Sequence, residues 1–144
     1  MNMGDERPLS AVCCERSSDP ADQVLRIAAL LAEGADIGET DKNGVTPLHH
    51  AVRFRSPAAV GALLAHGADV NQTCKRSGST PLHRAVTFTG APGTAGKVKE
   101  RREIIHLLME AGADTVIQNK SGKSAIDYVS DLDTLQLLAP SADG

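Results

Sequence analysis

Residues 43–52 read NGVTPLHHAV, and residues 77–86 read SGSTPLHRAV. The two stretches are nearly the same and lie 34 residues apart, measured from Thr46 to Thr80. A weaker copy, SGKSAID, follows at residues 121–127. Because self-similarity at a fixed spacing of roughly 20–50 residues is the signature of repeat proteins, this stretch predicts stacked units instead of one globular core.

A second signal runs in phase with the first. Residues 30–36 read LLAEGAD, residues 63–69 read LLAHGAD, and residues 107–114 read LLMEAGAD. Thr46 and Thr80 are good N-caps, and the proline that follows each suits the first helical position, where an N–H is not needed. The glycine after each leucine pair suits the left-handed end of a second helix. Each unit is therefore predicted to be helix, turn, helix, then a Gly- and Asn-rich turn.

These motifs resemble the ankyrin repeat, whose signature is T-P-L-H-x-A at a period of about 33 residues. The resemblance runs from about Pro8 to Leu138. It implies an all-α repeat fold, an ankyrin-repeat solenoid of stacked helix-turn-helix units. We expect a single domain over 1–144, with repeats at about 7–40, 41–74, 75–118 and 119–139, the first and last being degenerate caps.

The units differ in length. Thr80 to Gly112 spans 32 residues, whereas Thr46 to Gly67 spans 21, so unit three carries an 11-residue insertion, placed at residues 87–97 in a Gly/Pro/Thr-rich loop. Unit one has a smaller excess near 16–20, and unit two has one surplus residue, most simply Cys74. The long loop at 87–99 is either a dedicated contact element or a tolerated insertion, since lengthening a surface loop costs little.

Composition narrows the class of protein. The chain has 144 residues, 41% of them hydrophobic, but only two Phe, one Tyr and no Trp, so its core must be aliphatic. A net charge of −3 argues against a surface built wholly for nucleic acid. Three cysteines without metal-ligand spacing favour a reducing compartment, and no apolar run is long enough to cross a membrane. We expect a soluble, cytoplasmic monomer.

The residues that suggest chemistry have structural explanations. His49 and His83 occupy the same repeat position, where the resemblance implies a hydrogen-bonding role near the helix start. His50, His66 and His106 lack ligand spacing, and the adjacent Cys13 and Cys14 are expected to be buried or half-buried thiols. No phosphate loop, nucleophile elbow or paired-carboxylate motif is present. We therefore predict no catalytic residue, no metal, no cofactor and no enzymatic activity.

The resemblance implies that partners bind on a concave surface formed by the turn tips and the exposed residues of the first helices. Both phenylalanines fall on one repeat position, with partner contact and local packing as the alternatives. Aromatic and arginine side chains together are typical of binding hot spots. The predicted contact residues are Lys42, Asn43, Val45, Arg53, Phe54, Arg76, Ser77, Ser79, Arg84, Thr87 and Phe88.

Charge gives this surface a direction. Residues 75–118 hold seven Lys/Arg and four Asp/Glu. Arg53, Arg76 and Arg84 are placed along the groove, so an acidic or phosphorylated protein segment would be attracted there. The leading hypothesis is a protein–protein interaction scaffold that uses its concave face. The alternative is binding of nucleic acid or a phosphate ligand through a basic cluster at 97–102, formed by Lys97, Lys99, Arg101 and Arg102, unless these residues are simply a solvated helix start.

Overall fold

Helices make up the regular structure of the residues that can be described. A computed structural model of the chain describes residues 8–14, 19–87, 97–129 and 131–138, with only the backbone of Pro8 and Ser10. The helices in these ranges are α1 (Pro8–Cys13), α2 (Pro20–Ala32), α3 (Pro47–Arg53), α4 (Pro57–Ala65), α5 (Pro81–Val86), α6 (Val98–Glu110), a 3-10 helix (Ile126–Tyr128) and α7 (Leu132–Leu138). The predicted all-α repeat is confirmed.

The helices are arranged in two layers. The inner helix α3 packs between α1 and α5, and α5 also contacts the 3-10 helix. The outer helix α4 packs between α2 and α6, and α6 contacts α7. Each inner helix also packs against the outer helix that follows it. Neighbouring helix pairs thus cover one another, as expected of a solenoid.

The two central inner helices begin as the Thr-Pro motifs predict. The Thr46 hydroxyl accepts a hydrogen bond from the His49 backbone N–H at 3.2 Å, and Thr80 accepts one from His83 at 3.3 Å. A proline occupies the first turn of both helices. The threonine satisfies a backbone donor that the first turn leaves open, so the helix start is encoded locally.

Glycines end the outer helices. Gly34, Gly67 and Gly112 have φ values of 104°, 95° and 95°, a region that favours glycine. After Gly67, the Ala68 N–H donates to the Leu63 carbonyl at 3.0 Å, which closes the last turn of α4. The predicted helix ends are confirmed.

The core is a row of aliphatic side chains between the layers. Leu48 and Leu82, the leucines of the two Thr-Pro motifs, are 2% and 0% exposed and occupy equivalent places in the stack. The outer layer contributes Ile27, Leu63 and Leu108, all fully buried. Fully burying one such side chain stabilises the fold by about 1.5–3 kcal/mol, so each unit depends on its neighbours for most of its stability.

The turn tips stack through backbone hydrogen bonds. The Arg76 N–H donates to the Asn43 carbonyl at 3.1 Å, and the Lys120 N–H donates to the Ser77 carbonyl at 2.9 Å. Gly44, with φ of 76°, lies so close to Lys75 that a side chain there would overlap the Lys75 backbone. Glycine is therefore needed at this tip for close approach as well as for its conformation.

The surplus residue of unit two is not Cys74. The first tip is closed by a bond from the Asp41 N–H to the Val45 carbonyl, and its counterpart runs from Cys74 to Ser79. Cys74 therefore occupies the Asp41 position, and the extra residue lies inside the turn at 75–77. Sequence register alone could not separate these placements, because cysteine does not resemble the carboxylate that it replaces.

The two predicted loops lie partly outside the described residues. Helix α5 ends at Val86 and α6 begins at Val98, so the helices are interrupted where the insertion was expected. Residues 88–96 and 15–18 are not described, and Phe88 is among them. Within the described ranges, no helix is both long enough and apolar enough to cross a bilayer.

Candidate functional site

A polar pocket of about 250 Å³ opens on the inner-helix side of units two to four. Three equivalent positions, each four residues after the helix cap, hold His50, Arg84 and Tyr128. Arg84 and Tyr128 both line this pocket. Its full lining is Arg53, Ser79, His83, Arg84, Thr87, Asn119 and Tyr128. We call it the groove pocket.

The two arginines of the groove pocket have no carboxylate partner among the described residues. The Arg53 guanidinium carbon lies 5.7 Å from the centre of the Phe54 ring, a cation–π distance. Arg84 donates from Nη2 to the Cys74 sulfur at 3.6 Å. Neither contact neutralises its guanidinium through an ion pair with Asp or Glu, so the pocket is basic.

Sequence reasoning missed Tyr128, which forms one wall of the pocket. Its ring meets that of His83 edge-on, with centroids 6.0 Å apart, and its hydroxyl accepts a bond from Asn119 Nδ2 at 2.8 Å. The available signal was the weak repeat at 121–127, which places Tyr128 in register with Arg84. The fourth unit thus contributes to the groove as well as capping the stack.

His49 and His83 are structural, as predicted. His49 Nδ1 accepts from the Thr46 backbone N–H at 3.4 Å, which leaves the Nε2–H to donate to the Ser79 carbonyl at 2.9 Å. His83 makes the same bonds to Thr80 and to the Lys123 carbonyl, at 3.0 and 2.9 Å. Each imidazole therefore ties its own helix start to the next unit.

Burial is the largest influence on the pKa of His49 and lowers it to about 4, against a smaller opposite effect of its bond to Ser79. The neutral imidazole is therefore the form that the fold requires. Burial also lowers the pKa of the neighbouring His50, whose Nε2 lies 3.5 Å from Asp41. His50 Nδ1 is buried and makes no hydrogen bond within the described part of the chain.

Two of the predicted contact residues, Val45 and Ser79, have largely buried side chains. Val45 is 8% exposed and Ser79 is 9% exposed. Both lie at the base of a turn tip, where Val45 follows the closing glycine and Ser79 Oγ accepts a bond from Ser77 at 2.9 Å. Both residues support the turns. Val45 offers a partner little surface, whereas Ser79 still lines the groove pocket.

The other predicted tip residues keep accessible side chains. Lys42 and Arg76 are exposed, and Asn43 and Ser77 are half-buried. The carbonyl groups of Asn43 and Ser77 already bond to the next tip, so only their side chains remain available to a partner.

Phe54 does not line the groove pocket. It borders a second cavity of about 570 Å³, formed largely by the starts of α2, α4 and α6. Arg53 is the neighbour that reaches the groove pocket. Phe54 therefore lies outside the groove pocket, and Phe88, its repeat equivalent, is not among the described residues.

The predicted basic cluster at 97–102 is largely dispersed. Arg101 is buried and donates to the Ala85 and Val86 carbonyls at 2.9 and 2.8 Å. Arg102 lies 3.4 Å from the Asp133 carboxylate. Only Lys97 and Lys99 remain as expected, next to Glu100. The prediction of a four-residue basic surface is wrong because a long guanidinium side chain can reach inward to unpaired carbonyls, which the sequence does not reveal.

Arg55 is a second buried arginine that sequence reasoning missed. It has a φ of 57° and donates to the Val52, Arg84 and Thr87 carbonyls at 3.0, 3.2 and 2.9 Å. Burial, with a smaller contribution from nearby Arg101, lowers its pKa to about 10, so it is still charged at neutral pH. Arg55 therefore satisfies the helix ends of two successive units.

Cys74 sits below the groove pocket in an unusual setting for a thiol. Burial, the largest influence, raises its pKa, but hydrogen bonds involving Ser77, Ser79 and Arg84 outweigh burial and lower the pKa to about 7. The Cys74 sulfur lies 3.0 Å from Ser77 Oγ. Cys13 is buried and Cys14 half-buried, as predicted, and Cys13, Cys14 and Cys74 are all reduced thiols.

Comparison with known proteins supports the repeat reading. A family model described as ankyrin repeats (3 copies) matches residues 21–119. The chain is 36% identical over 107 residues to putative palmitoyltransferase ZDHHC13 of Danio rerio, covering 73% of this chain and 15% of that protein. It is 31% identical over 131 residues to SMC5-SMC6 complex localization factor protein 1 of Bos taurus, covering 89% and 11%.

A third relative is Rabankyrin-5 of Mus musculus, 29% identical over 97 residues, which are 67% of this chain and 8% of that protein. The chain therefore spans at most 15% of the length of these relatives. With the family model covering 99 of its residues and the helix pairs stacked as described, the chain belongs to the ankyrin-repeat family.

Proposed function

We propose that this protein is a non-enzymatic scaffold that binds a partner protein on its concave face, at the groove pocket. Ankyrin repeats are generally protein-interaction modules. The observation that carries the proposal is the pair of guanidinium groups, Arg53 and Arg84, that lie in the pocket without a carboxylate partner in the described ranges. A stiff stack loses little conformational entropy on docking, so such a pre-organised face favours binding.

The proposal also covers the domain organisation, the oligomeric state, the rim of the contact surface and the charge of the partner. Four repeats at about 7–40, 41–74, 75–118 and 119–139 would form one domain over 1–144 that acts as a monomer. The Lys42 and Arg76 side chains, exposed at the turn tips, would form the rim of the contact surface. The partner is expected to be acidic, because charge complementarity favours encounter and orientation.

Nucleic acid or a phosphate ligand at 97–102 is the weaker candidate. With Arg101 buried on carbonyls and Arg102 beside Asp133, two lysines remain, flanked by Glu100 and Glu103. Binding to nucleic acid depends on several unneutralised phosphate contacts. The geometry therefore supports a protein partner better.

Affinity capture from native cells tests the proposal with two charge-matched variants. We expect Arg53→Glu/Arg84→Glu to lose the proteins that the wild type retains, and Lys97→Glu/Lys99→Glu to keep them. Both variants change the net charge equally, so non-specific electrostatics would affect both alike. Loss only with the lysine variant, or retention on nucleic acid that disappears with it, would support the alternative at 97–102. Circular dichroism of both variants checks that the helices remain.

A further inference from the structure

The groove pocket presents mainly hydrogen-bond donors. Tyr128 accepts from Asn119 Nδ2, which leaves its own O–H free to donate into the pocket. The amide oxygen of Asn119 already accepts from the Ser121 and Lys123 N–H groups, at 2.9 and 3.1 Å. Together with two guanidinium groups, the Tyr128 hydroxyl forms a donor-rich site for an acceptor.

The other polar groups that line the groove pocket do not offset this excess of hydrogen-bond donors. His83 uses Nδ1 on Thr80 and Nε2 on the Lys123 carbonyl, so its ring is fully engaged. The Thr87 hydroxyl donates to the Arg84 carbonyl at 3.1 Å. A ligand that only accepts hydrogen bonds and carries negative charge fits the pocket best, because guanidinium groups bind oxyanions more strongly than neutral acceptors.

The charged groups around the pocket keep it basic. Asp41 lies on the same face, but its carboxylate accepts from the Asn43 and Val45 N–H groups at 2.9 and 3.0 Å and faces His50 Nε2 at 3.5 Å. The Cys74 sulfur contacts Arg84 from beneath at 3.6 Å. Among the described residues, no carboxylate pairs with Arg53, so its guanidinium can still donate to an acceptor in the pocket.

We propose that the groove pocket binds a single oxyanion side chain of the partner, a carboxylate or a phosphate, held by Arg53, Arg84 and the Tyr128 hydroxyl. This inference rests on the proposed function and specifies its chemistry. A volume of about 250 Å³ suits one side chain and not an extended segment. The rest of the partner would then lie over the turn tips, which supply affinity without this selectivity.

Selection from a random 12-residue peptide library displayed on phage, against the immobilised protein, provides the probe. We expect the selected peptides to share one Asp or Glu whose replacement by Ala weakens binding about 10-fold or more, the scale of a charge-assisted bond in a partly buried site. Replacing that residue by phosphoserine separates the two sources. Tighter binding indicates a phosphate ligand, and weaker binding indicates a carboxylate.

Double-mutant cycles locate the contact. In Arg53→Gln, the peptide's acidic residue should matter less than about 2-fold, whereas in the matched control Lys99→Gln it should keep its full effect. Arg53 is half-buried, and among the described residues its side chain makes no hydrogen bond or ion pair that holds the fold together, so its variant should fold. Arg84→Gln, whose contact with Cys74 affects the turn, is the second variant and should give the same result.

The possible failures are distinguishable. Peptides that bind the groove, lose affinity with Arg53→Glu/Arg84→Glu, yet show no acidic preference would overturn the oxyanion pocket and leave the scaffold function intact. Peptides whose acidic residue couples to Lys99 and not to Arg53 would overturn the pocket's location. A library that yields no groove-dependent peptide at all would overturn both proposals.

Discussion

The central inner helices and the last inner helix begin with the same kind of side-chain cap. They differ in whether the capping side chain also bonds to another unit. Thr80 and His83 cap each other, and His83 then bonds across to the Lys123 carbonyl. Ser124 and Asp127 form an equivalent cap, in which Asp127 accepts from the Ser124 N–H at 2.8 Å. Within the described part of the chain, the Asp127 side chain bonds to Ser124 and to no other unit, and it is exposed. Capping is thus a local property, whereas bridging requires a following neighbour.

The turn tips repeat this difference. Gly44 and Gly122 have nearly the same φ, 76° and 75°. An added Cβ at Gly44 would overlap Lys75 of the next tip, whereas one at Gly122 would meet nothing within 4 Å. The same sequence motif therefore carries a second constraint wherever another unit stacks on it.

The largest effect is expected from removing the bridge. We expect His83→Ala to lower the free energy of unfolding by about 4 kcal/mol, because it opens a cavity, removes a cap and breaks the bond to the Lys123 carbonyl that joins two units. Asp127→Ala should cost clearly less, because water can replace part of what an exposed cap provides. Urea unfolding followed by circular dichroism measures both.

A second variant separates the cap from the bridge. His83→Asn keeps an acceptor for the Thr80 N–H but is too short to reach the Lys123 carbonyl, so we expect a loss of about 2 kcal/mol. This variant also serves if His83→Ala does not fold. Equal losses at residues 83 and 127 would contradict the distinction between bridged and unbridged units.

The next effect concerns the turn tips. Gly122→Ala should cost about 1 kcal/mol, the penalty of a left-handed conformation for a residue with a side chain. Gly44→Ala should cost about 3 kcal/mol, because the methyl group also displaces the Lys75 backbone. Gly78, where the nearest atoms of Lys120 lie 3.1 Å from the added Cβ, should be intermediate. The same unfolding assay applies, and equal costs at the three glycines would show that stacking adds no constraint.

The smallest effect, counted per pH unit, is the loss of folding stability on acidification. The pKa of His49 is lowered from 6.5 to about 4 by burial, so between these values the unfolded chain binds the additional proton and the folded chain resists it. Stability should therefore be complete above pH 6.5 and fall on acidification towards pH 4, by at most about 1.4 kcal/mol per pH unit from this group. His50, whose pKa is also lowered by burial, adds to the fall.

Asp127 responds in a different range. Hydrogen bonding from the Ser124 N–H holds its pKa below 3.8, so its contribution is lost only under more acidic conditions. Unfolding curves from pH 7 to pH 4 should thus report on His49 and His50. His49→Gln should flatten this dependence and Asp127→Asn should leave it unchanged. A wild type equally stable at pH 7 and pH 4.5 would contradict the assigned role of His49.

Much of the fold could be predicted from the chain because its signals are local. The Thr-Pro caps and the closing glycines act through neighbouring backbone atoms, and the matched leucines are recognised by their fixed period. The groove was harder to predict. Arg101 has the sequence context of a surface residue and is buried, and Tyr128 lies in the least regular repeat and faces the pocket. A long side chain can extend into solvent or bond to a carbonyl that is distant in the sequence, and the sequence alone does not indicate which of the two occurs.

Local capping signals and the apolar period specify the repeated helix pairs, their starts and ends, and the aliphatic row that joins them, since periodic apolar positions can be buried only by stacking. Which polar groups remain available to a partner depends on how distant residues pack. Arg55 and Arg101 donate hydrogen bonds to backbone carbonyls of other helices. Phe54 lines a different cavity. Arg53 and Arg84 remain in the groove pocket. The physical reason is that hydrogen-bond partners come from residues roughly 15 to 40 positions away, whose approach is set by packing and not by local sequence.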